Sequence, residues 1–286
     1  MLPGSVTVRA MQPGDIAAGH RLSVQNGWNQ TFADWHRLLQ WEPKGCFVLE
    51  AAGQVVGTVT TTCYGIALAW IGMLLVDAAH RRQGFGRTLL LHALGWLEQR
   101  DIHSVMLDAT PLGLPLYESL GFRRSSALDR WQGIASSRAV IPANVLPLAP
   151  GDFPVSGLTL DRSAFGLDRR GLLRDLLAAP QARGFCTGSG TTIKGFVLLR
   201  PGEARWHVGP LVADTPERAA GLIEAALTVL RGEPVQIDVP DTPAAQQLAR
   251  QTGLTPVRPF ARMLRGGPAP SANLSLLYAS AAPEIG

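Results

Sequence analysis

The sequence predicts an α/β (α+β) chain built from two tandem copies of one unit. Three observations carry that expectation. Apolar residues alternate between strand-like and helix-like spacing along the chain, which marks interleaved strands and helices. Four short segments of the first half recur, in the same order, in the second. Between the two series lies 142–154, rich in proline, as a connection between domains is.

In the first half, 7–10 reads as a short strand. Residues 13–19 and 31–41 read as helices, the second with Phe32, Trp35, Leu38 and Leu39 at helical spacing. Residues 47–52, 55–64 and 67–76 read as three consecutive antiparallel strands. The span 51–76 carries no charge and is long enough to suggest a membrane segment. Its threonines at 58, 60, 61 and 62 and the break at Tyr64-Gly65 predict a buried hairpin instead. Residues 84–100 form a helix in which Phe85, Leu89, Ala93 and Trp96 recur, with Leu90, Leu94 and Leu97 beside them. A strand at 104–109, a short helix at 114–120 closed by Gly121 and a last strand starting at 122–126 complete the unit. In the second half, 166–179 reads as a helix, 191–200 and 204–212 as strands, 216–231 as a helix, 235–239 as a strand, 242–252 as a helix and 258–264 as a strand.

The residues repeat along with the pattern. Val56-Gly57-Thr58-Val59 matches Lys194-Gly195-Phe196-Val197, and Ile71-Gly72-Met73-Leu74 with Asp77 matches Val208-Gly209-Pro210-Leu211 with Asp214. Val105-Met106-Leu107-Asp108 matches Val235-Gln236-Ile237-Asp238, and the run from Leu116 to Phe122 matches that from Leu248 to Leu254. The offsets, 138, 137, 130 and 132, predict a duplicated unit of about 130–140 residues. The domains are then 1–141 and 155–286, joined by the linker 142–154.

Composition narrows the function. Of the 286 residues 46% are hydrophobic and mean hydropathy is +0.12, enough for real cores and incompatible with a disordered chain. Charged residues make up 17%, below the roughly 25% usual for soluble domains, which excludes a charge-laced rod. The net charge of +4 is spread along the chain. It fits a site for an anionic ligand; a nucleic-acid surface needs a dense basic stripe. Cysteines 46, 63 and 186 form no CxxC pair, so neither a disulfide framework nor a metal cluster is expected, and the thiols read as reduced and cytosolic. The first residues lack the apolar core of a signal peptide, which adds to the expectation of a cytoplasmic protein.

The most informative stretch runs from Met73 to Arg87. An apolar strand ends, a basic loop follows, and Gly84 and Gly86 open an amphipathic helix. Helix N-termini offer unpaired N–H groups and partial positive charge. Glycines let a ligand's oxygens approach the backbone, and Arg81, Arg82 and Arg87 add forked donors suited to phosphate. A Walker A loop would need a lysine after the glycines, and a dinucleotide fingerprint would need a third glycine where Leu89 stands. What the loop satisfies is [RQ]-x-x-G-x-[GA], as Arg81-Arg82-Gln83-Gly84-Phe85-Gly86, with Leu74-x-Val76 before it and Leu116-Tyr117-Glu118-Ser119-Leu120-Gly121-Phe122 after it.

This combination resembles the acetyl-CoA loop of the GCN5-related N-acetyltransferases (GNAT), over about residues 5–135. The resemblance implies a mixed, mainly antiparallel sheet with helices on both faces. It implies that Leu74, Leu75 and Val76 splay from the neighbouring strand to bind the pantetheine arm, and that Arg81, Arg82, Gln83, Gly84, Phe85, Gly86 and Arg87 hold the pyrophosphate of acetyl-CoA. The implied reaction is direct attack of an uncharged amine on the thioester in a ternary complex, without a metal. The departing thiolate needs a proton, and a phenol holds one at neutral pH; Tyr117 occupies the family's tyrosine position. Asp108, at a strand end, is a candidate proton relay or else the cap of the turn at Thr110-Pro111; Glu50 is a further carboxylate near the sheet. The family's asparagine shortly before the tyrosine is missing from 109–115. Trp28 and Asn29, between the first two helices, and Asp161, in a polar cluster with Arg162, are candidate acceptor-binding residues, Asp161 otherwise starting a solvated helix. His207 reads as a strand histidine satisfied by its neighbours.

The second copy lacks the basic cluster and the paired glycines at 215–221, and has Ala249 at the tyrosine position. It resembles the degenerate C-terminal domain of a bacterial tandem subgroup. Altogether the sequence points to a cytoplasmic N-acetyltransferase acting on a small-molecule amine or an exposed amino group, with no nucleic-acid or membrane partner, as a monomer or homodimer. The alternative is a non-catalytic acetyl-CoA sensor, which would need no proton donor at Tyr117.

Overall fold

The computed structural model describes residues 6–136, 140–149, 153–189 and 192–286. Thr191, residues 1–5 and residues 150–152 of the proline-rich stretch lie outside the described residues. The first unit runs β1 (Val6–Ala10), α1 (Ile16–Gln25), α2 (Phe32–Trp41), β2 (Phe47–Ala51), β3 (Gln54–Tyr64), β4 (Leu68–Val76), α3 (Phe85–Glu98), β5 (Ser104–Ala109), α4 (Leu114–Glu118) and β6 (Arg123–Ile134). The second runs β7 (Val145–Leu148), α5 (Val155–Phe165), α6 (Arg170–Leu177), β8 (Arg183–Ser189), β9 (Thr192–Arg200), β10 (Trp206–Ala213), α7 (Pro216–Val229), β11 (Pro234–Pro240), α8 (Pro243–Gln251), β12 (Thr255–Gly266) and β13 (Leu277–Ala279).

Local chemistry sets most of these boundaries. Thr31 and Asp34 form a reciprocal cap, each side chain accepting from the other's backbone N–H, so α2 starts at Phe32. Thr215 and Thr242 accept at the starts of α7 and α8. The uncharged span 51–76 is the β3–β4 hairpin, turned at Gly65 with φ 62°. Among the described residues no helix is long and apolar enough to cross a membrane.

Three expectations change. The helix read at 166–179 is α6, which begins only at Arg170, and a further helix, α5, precedes it and is ended by Gly166 at φ 92°. A strand, β7, forms inside the proline-rich stretch, where Val145 and Leu148 are buried. The strand β8 was hidden by its two glycines, Gly184 and Gly188, which weaken the apolar alternation.

Strand side chains alternate between two cores. Phe47 and Leu49 face α3, with Leu89, Leu90 and Ala93; Val48 faces Trp35 and Leu38 of α2. In the second unit Val197 and Leu199 join α7, whereas Phe196 and Leu198 join α5 and α6. The α1–α2 and α5–α6 sides of the two units share one core.

The described strands form one sheet in the order β1-β2-β3-β4-β5-β12-β6-β11-β10-β9-β8-β7, with β13 beside β10. One strand of each unit is exchanged: β12 of the second unit lies against β5 of the first, and β6 of the first against β11 of the second. Each unit also contains a wedge-shaped opening. The parallel pair β4–β5 is joined only at Ala69↔Val105 and Trp70↔Met106, and β10–β11 only at Trp206↔Val235 and His207↔Gln236. In the second unit β13 enters the opening, pairing with β10 at Leu211↔Ala279, and the Ser280 amide donates to Asp238 O at 2.8 Å. No described strand enters the first opening.

Candidate active site

The first opening is shaped by a bulge in β4. Thr58 faces Leu75 while Thr60 faces Gly72, so β4 carries one extra residue there. Met73 takes φ 48°, and its carbonyl accepts from Thr58 Oγ1 at 2.8 Å. The parity of the strand flips as a result: Ile71 packs under α3, but Met73 packs with α2. Leu74 and Val76 are left half-exposed along an edge that no described strand pairs.

The basic loop follows. Asp77 caps a tight turn by accepting from the Ala79 amide at 3.0 Å. Arg82 (φ 60°) and Gly84 (φ 82°) then bend the chain into α3. Thr88 N donates to Gly84 O, so the amides of Phe85, Gly86 and Arg87 have no acceptor within the helix, and no side chain caps them. Arg81 is tied to Asn26 at 2.6 Å and Arg87 to Ser119 at 3.3 Å. Arg82 and Gln83 are exposed and make no hydrogen bond among the described residues.

Beyond the bulge lies a cleft whose wall includes Trp28, Gly72, Leu74, Asp108, Tyr117 and Glu284. Tyr117 comes from α4, with its ring edge-on to Phe122 at 5.9 Å. Gly113 allows that packing, because a Cβ there would lie 2.9 Å from the ring. The hydroxyl makes no hydrogen bond among the described residues. Burial pushes the phenol above its usual range, so it stays protonated at neutral pH.

Glu284 arrives from the other end of the chain. Trp70 Nε1 donates to Pro283 O at 2.8 Å, Tyr64 Oη to Ile285 O at 2.6 Å, and Arg169 to Gly286 O at 2.8 Å. These bonds press 283–286 against β4, at a point where Gly72 has no side chain; a Cβ there would come within 2.7 Å of Glu284. Gln30 Nε2 donates to one carboxylate oxygen at 2.9 Å. Burial, aided by the neighbouring Asp34 and opposed by Arg200 and Arg130, lifts the Glu284 pKa to about 7.

Residues 19–122 match the acetyltransferase (GNAT) family model, and residues 158–279 match a second model, of an acetyltransferase (GNAT) domain. The chain belongs to the GNAT acetyltransferase family. It is 26% identical over 223 residues to the uncharacterized N-acetyltransferase YitH of Bacillus subtilis, covering 77% of each chain. It is 33% identical over 144 residues to the mycothiol acetyltransferase of Thermobispora bispora, covering 43% of this chain and 48% of that one. A putative acetyltransferase from Pyrococcus horikoshii shares the fold with a TM-score of 0.87 at 23% identity, over 98% of this chain and 96% of that one. A tandem GNAT protein from the clavulanic acid biosynthesis pathway superposes with a TM-score of 0.66 at 16% identity, over 92% and 99%. The duplicated unit is thus a pair of GNAT domains, and the chain is an acetyl-CoA-dependent N-acetyltransferase.

Within this GNAT pair, the residues singled out in the sequence fall in different places. Trp28 and Tyr117 are on the cleft wall with Leu74. Asp108 is there too, but its carboxylate accepts from Arg262 Nε and Nη2, both at 2.9 Å, and not from the turn at Thr110-Pro111. Burial raises its pKa, with Arg262 pulling the other way. Asn29 is turned elsewhere: it donates to Arg205 O and accepts from the Ala204 and Arg205 amides, clamping the second unit's β9–β10 turn. Asp161 is neither in the cleft nor solvated. It is buried in a two-bond pair with Arg169 at 2.9 Å, and so anchors the tail at Gly286. Glu50 pairs with Arg9 on the outer strands. His207 is buried with Nδ1 3.4 Å from Gln236; burial drives its pKa down to about 4, against the backbone of Ser280, so the ring is neutral.

Glu284 and Arg258 are among the cleft residues that the sequence alone did not reveal. Glu284 lies beyond the last element the periodicity defines, in a tail without a motif. Arg258 stands where the first copy has Ser126, at the offset of 132 that relates the two last strands; this mismatch between copies was the available signal.

Proposed function

We propose that the first unit binds acetyl-CoA along β4 and the Arg81–Arg87 loop and transfers its acetyl group to a primary amine, by direct attack in a ternary complex. The acceptor is a small molecule or an exposed amino group. The observation that carries this reading is one cleft in which Leu74, Tyr117 and Glu284 meet. The unpaired edge of β4 suits the amide-rich pantetheine arm, as an added strand suits a sheet edge. The free amides at the start of α3, with Arg82 beside them, suit the diphosphate.

Glu284 is the proton acceptor in this reading. The amine nitrogen forms the new bond to the acetyl carbon as the carbon–sulfur bond breaks, and the surplus nitrogen proton passes to the Glu284 carboxylate. Tyr117 gives its proton to the departing thiolate. Exchange with water then returns both side chains to their starting states. A base with a pKa near the working pH and an acid well above it divide these tasks. Asp108, held by two bonds to a cation, is a weaker candidate.

The second unit serves as scaffold. Its own opening holds β13 where a coenzyme arm would lie, and its exchanged strand and tail finish the acceptor side of the first. The three cysteines are free, which agrees with a reducing, cytoplasmic setting.

Release of free thiol from acetyl-CoA across a panel of amines tests the reading. Turnover that falls sharply in both Tyr117→Phe and Glu284→Gln supports it. Binding of acetyl-CoA with no thiol release for any amine would favour the sensor instead.

A further inference from the structure

Around the cleft, arginines come with their own carboxylates. Arg130 holds Asp238 at 2.8 Å, Arg262 holds Asp108 at 2.9 Å, Arg169 holds Asp161 at 2.9 Å, and Arg200 reaches Asp34 at 3.3 Å. Arg258 breaks the pattern. It is half-buried in the cleft wall and makes no hydrogen bond or ion pair among the described residues.

Its placement is built into the exchanged strand. The register of β12 on β6 shifts between Pro256 and Arg258, so Val257 is an extra residue. From there alternation sets Arg258, Phe260 and Arg262 on one face of β12. Phe260 and Arg258 line the cleft, and Arg262 locks Asp108 at its edge. Arg258 lies opposite Arg130 in the register, but Asp238 already neutralises Arg130 through two bonds.

The charge balance follows. The pairs Arg130–Asp238 and Arg262–Asp108 are each neutral. What they leave facing the cleft, among the described residues, is one guanidinium, Arg258, and one carboxyl, Glu284. A half-buried guanidinium without a counter-ion favours a ligand that brings one, and its planar fork matches the two oxygens of a carboxylate or phosphate.

We propose that the acceptor is a small amine that also carries an oxyanion, carboxylate or phosphate, with Arg258 holding the oxyanion while the amino group faces Glu284. This rests on the acetyl-transfer reading above. Arg258 is thereby a specificity residue: it reads the far end of the acceptor and takes no part in the proton transfers.

The test is calorimetry on the full chain saturated with coenzyme A, with thiol release from acetyl-CoA measured in parallel. The acceptors are matched pairs: alanine against ethylamine, phenylalanine against phenethylamine, and phosphoethanolamine against ethanolamine. In at least one pair the oxyanion-bearing amine is expected to bind about 10- to 100-fold tighter, the usual worth of a charge-assisted contact. The carboxylate and phosphate pairs tell the two oxyanions apart. Arg258→Gln should erase the preference, and Arg258→Lys should retain part of it. Arg258 has no partner to orphan among the described residues, so both variants are expected to fold. Equal binding within every pair, no binding by any member, or a preference that survives in Arg258→Gln overturns the proposal. An oxyanion preference in binding with no thiol release would instead overturn acetyl transfer and leave the role of Arg258 standing.

Discussion

Arg262 grips Asp108 through two hydrogen bonds of 2.9 Å, and Arg130 grips Asp238 through two of 2.8 Å. The second pair is the first repeated: Arg262 stands 132 residues after Arg130, and Asp238 stands 130 after Asp108. In each case the arginine lies on one unit's exchanged strand and the aspartate on the other unit's sheet. The duplication therefore writes its own cross-links, and the strand exchange brings them together.

Removing one partner leaves a charge buried. Arg262→Met alone is expected to destabilise the chain by about 3–5 kcal/mol, whereas Arg262→Met with Asp108→Leu should recover most of that loss. Denaturant titration of the two single variants and the double variant completes the cycle. Purely additive effects would show that the pair does not act as a unit.

Glu284 ties activity to pH. In the wild type kcat/KM, referred to the uncharged fraction of the amine, should rise about tenfold per unit up to a pH of about 7 and then level off, because the carboxylate must be ionised to accept a proton. Glu284→Gln should lose that limb and about 100-fold or more in kcat. An unchanged acid limb in the variant would remove Glu284 from the reaction.

The same group ties stability to pH. Its pKa is about 7 when folded against 4.5 for the ordinary side chain. Between these values the folded chain binds more protons than the unfolded one, so stability falls as pH rises. The difference comes to about 3 kcal/mol. Glu284→Gln escapes it: the variant should match the wild type near pH 4.5 and exceed it by about that amount above pH 7. His207, lowered to about 4, acts with the opposite slope but equally in both proteins, and cancels from the comparison. Denaturation midpoints across pH provide the check.

Tyr117→Phe removes only a hydroxyl, which has no partner to strand among the described residues. Its kcat should fall about 100-fold or more, with the affinity for acetyl-CoA within about twofold. A loss of affinity without a loss of kcat would make Tyr117 a binding residue.

Arg82 is exposed, and unpaired among the described residues, beside the free amides of α3. Arg82→Ala should weaken acetyl-CoA binding several-fold and flatten its salt dependence, since exposed charges are screened. Gly84→Ala meets no atom within 4 Å but must hold φ at +82°, so it should cost about 1 kcal/mol of stability.

Much of the fold was legible in the sequence. Capping residues, the hairpin threonines and the amphipathic α3 write their elements locally, and the repeated segments announce the duplication. The glycine loop was legible for the same reason, since its chemistry sits in consecutive residues. The strand exchange was not, because β6 and β12 have nearly the same pattern and either could pair with either sheet. Nor was the acceptor side. Asp161 and Asn29 looked polar and available, but their partners, Arg169 and the backbone at 204–205, are supplied by tertiary contacts. Glu284 takes its properties wholly from burial against Gly72 and Gln30, and no sequence pattern encodes those neighbours.

On the proposed mechanism the chain holds one coenzyme, in the opening of the first unit, while β13 fills that of the second. Calorimetric titration of the full chain with acetyl-CoA is the decisive measurement. One molecule bound per chain, more weakly in Arg82→Ala, is expected; a stoichiometry of zero or two would refute the single site.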